Sequence, residues 1–392
     1  MFARNRVHSS WKLWTTHLPD VNPHYAVKAN PDRLLLKTLL SYGSGFDCAS
    51  GRELQEVAAL PLSNLQPCVV YANPCKPLRD LKTASSLGSP TTVVDSFEEV
   101  DKLASFGWQG SSLIRILVED SGSLMPFSRK FGLPPSEVKA LSSYAKSKAL
   151  NLEGISFHVG SGCRNKDQYK LALDLAHSSL TILRKDGHTA STIDIGGGFL
   201  ADEKAFETYS KTIRSALQPK TVRYIAEPGR FFAQTSFDFF VQVIGKKPGL
   251  GGNGWRYTID DSLYGQFSCI PFDQQKPIWV RIPTSSQDKM IRKATPGTLF
   301  GRTCDSLDMI ASSPSMEELH VGDWLWFPNM GAYTSVTASE FNGFPKPPVL
   351  DLDVELPSLN ELVPAGLRDR VPFDVATVNG VTVQCSTIPS VA

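Results

Sequence analysis

Lys28 closes the stretch His24-Tyr25-Ala26-Val27-Lys28 and is followed at once by Ala29-Asn30-Pro31. The pattern reads as a short strand that carries a lysine to its C-terminal end and breaks at Asn-Pro. An ammonium there is either a solvated loop cation or an amine kept at a pocket mouth, because burying it is costly. An amine of the second kind can condense with an aldehyde. Gly196, Gly197 and Gly198 follow Ile193-Asp194-Ile195 and let backbone N–H groups crowd around an anion. Alone, they fit a tight turn equally well. Ser161, in His158-Val159-Gly160-Ser161-Gly162, and Arg230, in Glu227-Pro228-Gly229-Arg230, can add a hydroxyl and a bidentate guanidinium to the same anion. His158 is either a hydrogen-bonded core histidine or an imidazole stacked on a planar ring. Glu227 is either an ion-pair partner of Arg230 or a carboxylate facing a pyridine nitrogen, which it would keep protonated.

These residues need rigid elements to bring them together. Strand-like segments recur at His24–Lys28, Phe46–Ser50, Val69–Ala72, Thr91–Asp95, Ser112–Val118, Gly154–Val159, Thr192–Ile195 and Arg223–Ala226. Amphipathic helical stretches lie between them, among them Asp32–Leu40, Gly51–Leu60, Ser96–Ser105, Pro135–Lys148, Lys166–Arg184 and Glu203–Leu217. Alternating strands and helices imply a parallel sheet with right-handed crossovers. Eight repeats match an α/β (β/α)8 TIM barrel, typically ~250 residues long, with its chemistry at the C-terminal ends of the strands. An open doubly wound sheet is the alternative, but no Gly-x-Gly-x-x-Gly follows the first strand.

From about residue 236 the texture changes to short β-branched and aromatic runs: Phe237–Ile244, Trp255–Ile259, Ile278–Ile282 and Asp323–Phe327. The expected division is an N-terminal segment over 1–20, a barrel over 21–235 and a mostly-β domain over 236–392, with a helix around 329–344 and a last strand at Thr377–Gln384. The 40 Lys+Arg and 39 Asp+Glu nearly cancel, which argues against nucleic acid or an anionic membrane as partner. No apolar run approaches the ~18 residues of a spanning helix. Seven cysteines without CxxC pairs point to free thiols in a cytoplasmic compartment and against zinc.

An aldehyde-reactive lysine, an anion cradle, a stacking imidazole and a carboxylate for a ring nitrogen together match pyridoxal 5'-phosphate. With those pieces in place, the chain resembles the eukaryotic ornithine decarboxylases, in the alanine-racemase-like (fold type III) class of pyridoxal-phosphate enzymes. The resemblance rests on Tyr25-Ala26-Val27-Lys28, Phe46-Asp47-Cys48-Ala49-Ser50, Tyr71-Ala72-Asn73-Pro74-Cys75-Lys76, Phe157-His158-Val159-Gly160-Ser161-Gly162-Cys163, Asp194-Ile195-Gly196-Gly197-Gly198-Phe199 and Glu227-Pro228-Gly229-Arg230. It continues through Tyr264-Gly265-Gln266-Phe267, Cys304-Asp305-Ser306-Leu307-Asp308, Asn329-Met330-Gly331-Ala332-Tyr333 and Phe341-Asn342-Gly343-Phe344.

The resemblance implies a barrel plus β-domain working as a head-to-tail homodimer with shared active sites. It assigns Lys28 to the Schiff base, Glu227 to the pyridine nitrogen, and His158 to the ring face, with Asp47 close to the cofactor. Ser161, Gly196, Gly197, Gly198, Gly229, Arg230 and Tyr333 would hold the phosphate. Cys304 of the opposite protomer would reprotonate the α-carbon after carbon dioxide leaves. Asp305 and Asp273 would bind the distal ammonium of a basic amino acid, L-ornithine giving putrescine, and Phe341 would line the pocket. Two carboxylates facing a pocket do suit a diamino acid. Cys304 alone reads equally as an inert buried thiol.

The chain departs from the family in places. It begins only 27 residues before Lys28, where relatives carry a longer lead that supplies a strand to the β-domain. Pro126 stands where the family has an arginine near the cofactor, with Arg129 a shifted substitute. Ser306, Asp260, Ser262 and Gln274 replace Gly, Asn, Gly and His around the pocket, and a side chain in place of glycine restricts its loop. These changes motivate lysine or a specialised-metabolism amino acid as alternative substrates. Cys304-Asp305-Ser306 in place of Cys-Glu-Ser argues against diaminopimelate. A non-catalytic homologue of the antizyme-inhibitor type is the reading from another class, and retention of Lys28, Glu227, Arg230, Tyr333 and Cys304 argues against it.

Overall fold

The computed structural model describes residues 1–60, 68–163, 165–218, 220–283, 292–351, 376–378 and 381–383. The chain divides into two compact units: Val7–Ala233, and Met1–Arg6 together with the chain from Gln234 onward.

In the first unit the strands β1 (Val21–Ala26), β2 (Gly45–Cys48), β3 (Val69–Tyr71), β4 (Thr91–Val94), β5 (Ser112–Arg115), β7 (Leu152–Ser156), β9 (Thr192–Asp194) and β10 (Arg223–Ala226) close into a barrel. Every neighbouring pair is parallel, and β1 joins both β2 and β10. The expected (β/α)8 barrel is therefore present. Val70, Val93, Leu113 and Ile225 form a buried cluster within it, as the apolar layers of such a barrel require. The crossover helices start where the sequence supplies caps. Asp32 accepts from Leu34 N–H (2.8 Å) ahead of α2 (Arg33–Ser41). Ser50 caps α3 (Gly51–Ala58) by accepting Glu53 N–H at 3.3 Å, and the Glu53 side chain reaches back to accept Ala49 N–H at 2.6 Å. The leading helix α1 (Arg4–His17) buries Trp14 against Phe199, Phe206, Phe231 and Phe232. A small antiparallel pair, β6 (Ser123–Met125) with β8 (Ser161–Cys163), is an addition that short polar runs did not announce.

The second unit contains a six-stranded sheet in the order β13-β16-β11-β12-β14-β15, made of β11 (Phe239–Pro248), β12 (Trp255–Ile259), β13 (Val280–Ile282), β14 (Ala294–Phe300), β15 (Met309–Glu317) and β16 (Trp324–Phe327). Val241, Val243, Tyr257, Ile259, Phe267, Leu299, Leu325 and Phe327 are its core. Phe2 bridges to both Phe237 and Asp351, and Arg6 grips Asp238 through two bonds of 2.7 and 3.1 Å. The helix expected around 329–344 does not form. Asn329, Tyr333 and Asn342 take φ of 59°, 56° and 58°, the left-handed region, which interrupts any α-helix. Only a 3-10 turn, Phe341–Gly343, appears there. The last expected strand is a hairpin, Ala376–Val378 with Val381–Val383.

Candidate active site

The first strand is offset from its expected span. It ends at Ala26, and Lys28 sits on a single 3-10 turn, Val27–Ala29, just past the strand. That turn projects the lysine beyond the sheet instead of into it. Its Nζ donates to Asp47 Oδ2, with the Asp47 side chain fully buried and that of Lys28 still 41% exposed. Asp47 lies on β2 directly beside Ala26 in the parallel register.

His158 follows β7 and is half-buried. Gly160 N–H donates to its Nδ1 at 3.0 Å, so the neutral ring carries its proton on Nε2. Burial holds its pKa well below the ordinary value, and the positive charges of Arg115 and Lys28 act the same way. The edge of Phe127 meets the imidazole at 5.0 Å and 71°.

The glycine turn after β9 is crowded by neighbouring backbone. A Cβ on Gly196 would lie 2.1 Å from Phe157 O, one on Gly197 2.8 Å from Glu227 O, and one on Gly198 2.4 Å from Gly160 O. Gly196 and Gly198 have φ of 66° and 100°, so both the space and the backbone demand glycine there. Ser161 begins β8 between Gly160 and Gly162, which also have positive φ. Arg230 opens the short helix α9 (Arg230–Ala233) immediately after Gly229.

Glu227 follows β10 and is buried. Burial, with the negative charges of Asp194 and Asp47, pushes its pKa well above the carboxylate range, while Lys28 pulls the other way. Asp194, also fully buried, is pushed up to about 6, chiefly by burial. Gly196 N–H at 2.9 Å and a hydrogen bond with Glu227 favour its ionised form. Within the pair the shifts favour protonation at Glu227 over Asp194, because burial and the neighbouring carboxylates act on Glu227 while the Gly196 N–H supports the Asp194 anion. Asp47 Oδ1 and Glu227 Oε1 are buried and have no hydrogen-bond partner among the described residues. A buried polar atom without a partner costs ~1–3 kcal/mol, which marks a place for a polar ligand. The orphaned oxygens, the glycine cradle and the cationic lysine fit pyridoxal phosphate.

The second unit carries a separate cluster. Cys304 is exposed on the loop between β14 and β15, and its N–H donates to Asn342 Oδ1 at 3.0 Å. Asp305 accepts Tyr264 O–H at one oxygen and Leu307 N–H (2.9 Å) at the other. The Tyr264 ring stacks on Phe341, with centroids 4.3 Å apart. Asp273 ends α10 (Cys269–Asp273) and accepts from Gln275 Nε2 at 2.5 Å; the same amide group donates to Ala332 O, next to Tyr333. The structure thus groups Lys28, Asp47, His158, Ser161, the three glycines, Glu227, Gly229 and Arg230 in one unit. Cys304, Asp305, Asp273, Tyr333 and Phe341 belong to the other.

Four residues emerge only from the fold. Asp194 and Arg115 set the charge around Glu227, Tyr264 pins Asp305, and Asp308 lies under the Cys304 loop. Asp194, Tyr264 and Asp308 stand inside quoted motifs, yet nothing in their spacing marked them.

Comparison with known proteins agrees with the geometry. The family described as "Pyridoxal-dependent decarboxylase, pyridoxal binding domain" matches residues 4–234. A probable ornithine decarboxylase of Dictyostelium discoideum is 37% identical over 358 residues, 86% of this chain and 76% of that one. Antizyme inhibitor 2 of Xenopus laevis is 36% identical, over 85% of this chain and 76% of its own. Among solved structures, the arginine decarboxylase of Paramecium bursaria Chlorella virus bound to agmatine superposes with a TM-score of 0.81 at 35% identity, covering 88% of this chain and 93% of that one. A barrel mouth built around Lys28, Glu227 and the glycine turn, matched by a family over the same residues, makes this chain a member of the pyridoxal-dependent decarboxylases.

Proposed function

We propose that the enzyme decarboxylates a basic amino acid, with L-ornithine as substrate and putrescine and carbon dioxide as products. The observation that carries the reading is the barrel mouth, where a half-exposed Lys28 rests on buried Asp47 and where Asp47 Oδ1 and Glu227 Oε1 are buried without a partner among the described residues. Pyridoxal phosphate, when bound, supplies the aldehyde for amine capture and a ring that accepts the electron pair left by carbon dioxide. Lys28 provides the amine that anchors it, and Asp47 orients that amine. Glu227 would face the pyridine nitrogen and keep it protonated, with Asp194 holding the carboxyl in place. His158 is neutral and supports the ring face. Ser161, Gly196, Gly197, Gly198, Gly229, Arg230 and Tyr333 hold the phosphate.

Cys304 delivers a proton to the substrate α-carbon, and Asp305 and Asp273 bind the distal ammonium, with Phe341 along the pocket wall. We assign these groups to the opposite protomer of a homodimer with shared sites. The exposed apolar side chains around the loop, Leu307 at 78%, Phe272 at 65% and Phe341 at 41%, support a covered surface there. Six described cysteines are free thiols, which supports a cytoplasmic setting.

Cofactor-loaded protein incubated separately with ornithine, lysine, arginine and diaminopimelate, with products read by mass spectrometry, tests the reaction. Selective putrescine formation is expected, along with a visible absorbance band that Lys28→Ala abolishes. A protein that cofactor cannot colour would overturn the reading in favour of a binding homologue, and amine only from lysine or arginine would overturn the substrate. Mixing Lys28→Ala and Cys304→Ala protomers, neither of which should form putrescine efficiently alone, tests the shared site by putrescine formation. Recovery of about a quarter of wild-type activity is expected, because half of randomly paired dimers would each hold one intact site. No recovery from protomers shown to exchange would refute it.

A further inference from the structure

The loop that carries Cys304 is tied to its surroundings at several points, by Arg302 N–H on Asp261 O at 3.1 Å and by the Tyr264 hydroxyl on Asp305, and one buried carboxylate braces it from within. β14 ends at Phe300 and β15 starts at its register partner Met309, so residues 301–308 form the whole connection. Cys304, Ser306 and Leu307 are exposed, and Arg302, Thr303 and Asp305 are only half-buried. The buried residues of the connection are Gly301 and Asp308, and Asp308 is only 1% exposed. Its side chain folds back under the loop. One oxygen accepts Thr303 N–H at 3.1 Å and Thr303 O–H at 2.6 Å, and the other accepts Leu263 N–H at 2.8 Å.

The backbone closes the same ring, with Gly301 N–H on Asp308 O at 2.8 Å and Asp308 N–H on Asp305 O at 3.2 Å. Gly301 has to be glycine, since a Cβ there would stand 2.3 Å from both Asp308 carboxylate oxygens. Cys304, one residue beyond Thr303, is held from the other side by Asn342 Oδ1 on its N–H. Asn342 sits at φ 58°, a conformation that aims its short side chain back at the loop.

We propose that Asp308, with Asn342, is the positioning residue that aims the Cys304 thiol at the substrate α-carbon. This rests on the reading of Cys304 as the proton donor. Charge-assisted bonds from both backbone and hydroxyl give Asp308 the strength to define one loop geometry. A proton delivered to the α-carbon gives the amine. A proton delivered instead to the cofactor carbon that bears the substrate nitrogen, followed by addition of one water, releases the product as an aldehyde and leaves the nitrogen on the cofactor. A misplaced thiol therefore changes which product forms, beyond slowing the reaction.

The test compares Asp308→Asn, Asn342→Gly and Cys304→Ala as holoenzymes with ornithine, measuring amine and aldehyde per turnover. Both loop variants are expected to keep the cofactor absorbance, to lower kcat by about 10²-fold and to divert product to aldehyde, as a displacement near 1 Å does to a positioned group. In cofactor-free protein, alkylation of Cys304 by iodoacetamide, read by peptide mass spectrometry, should accelerate in both. Should Asp308→Asn fail to fold, Asn342→Gly carries the test, because glycine accepts the left-handed backbone. Amine as sole product at the wild-type rate in the loop variants, with aldehyde from Cys304→Ala, would overturn the positioning role and leave Cys304 as donor. Amine as sole product at the wild-type rate from Cys304→Ala would overturn the donor reading and this inference with it.

Discussion

Gly197→Ala tests whether the glycine turn wraps the cofactor. Gly197 differs from its neighbours because its φ is not in the left-handed region, so alanine is acceptable to the backbone and only space is at issue. The added Cβ would lie 2.8 Å from Glu227 O and 2.9 Å from His158 Nε2, where ordinary contact begins at 3.4 Å. The shortfall is about half an ångström against each, and either the end of β10 or the imidazole must yield. Both are groups we assign to the cofactor ring. Overpacking of this kind costs ~1–3 kcal/mol, which raises the cofactor dissociation constant roughly 5- to 150-fold if the strain is relieved only in the free protein. Titrating cofactor-free protein with pyridoxal phosphate by absorbance measures it directly. Gly198→Ala brackets the result from above, since its Cβ would meet Gly160 O at 2.4 Å with φ at 100°. An unchanged dissociation constant for Gly197→Ala would place the cofactor away from this turn.

Two more perturbations follow from single environments. His24 is buried within the barrel, and burial lowers its pKa from 6.5 to about 4. The folded state thus binds this proton more weakly than the unfolded chain, so the stabilisation is complete above pH 6.5 and is lost as pH falls toward 4. The loss is on the order of 3 kcal/mol, seen as a steeper decline of urea-unfolding stability than in His24→Asn; parallel declines in the two proteins would contradict it. Tyr264→Phe keeps the stack on Phe341 but removes the hydroxyl from Asp305. Without that bond Asp305 loses the contact that fixes its orientation, so KM for ornithine should rise several-fold with kcat little changed. Steady-state kinetics with an unaltered KM would mean that the distal ammonium binds elsewhere.

What could be read in the chain, and what could not, divides along physical lines. The barrel was legible because its strands are short, mostly apolar runs and several of its helices begin at a capping residue such as Asp32, Ser50 or Ser96. The glycine turn and Lys28 were legible because residue type alone limits what they can do. β14 and β15 were not, since Pro296, Gly297 and Pro314 interrupt them, and only pairing with neighbours overrides those breakers. The stretch 329–344 misled in the opposite sense. Its Ala and Met suit a helix, but Asn329 and Tyr333 are held at positive φ. Asp194, Arg115 and Asp308 were invisible as functional groups because their effect depends on burial and on residues distant in sequence.

Pro126 shows how a departure from the family pattern can be absorbed. The turn after it is fixed by Asp120, which accepts Phe127 N–H at 2.5 Å, Ser128 N–H at 2.8 Å and Ser128 O–H at 2.7 Å. That turn sets the Phe127 ring against His158. Arg129, the shifted arginine, lines a cleft of about 470 Å³ with Leu117, Asp120, Pro126 and Leu175. Arg115, whose guanidinium lies 4.8 Å from the Phe131 ring, feels the charges of Glu227, Asp95, Asp194 and Asp47, and Lys28 acts on Glu227 and Asp47 as well. The mouth therefore keeps a positive group opposite its carboxylates without an arginine at position 126. A protein that only displayed its surface to a partner would gain nothing from Asp47 Oδ1 and Glu227 Oε1, each buried without a hydrogen bond at a cost of ~1–3 kcal/mol. Hydrophobic replacements of similar shape would remove that cost. That both oxygens remain, one of them on the carboxylate that holds Lys28, is the physical argument that this barrel still binds its cofactor for chemistry.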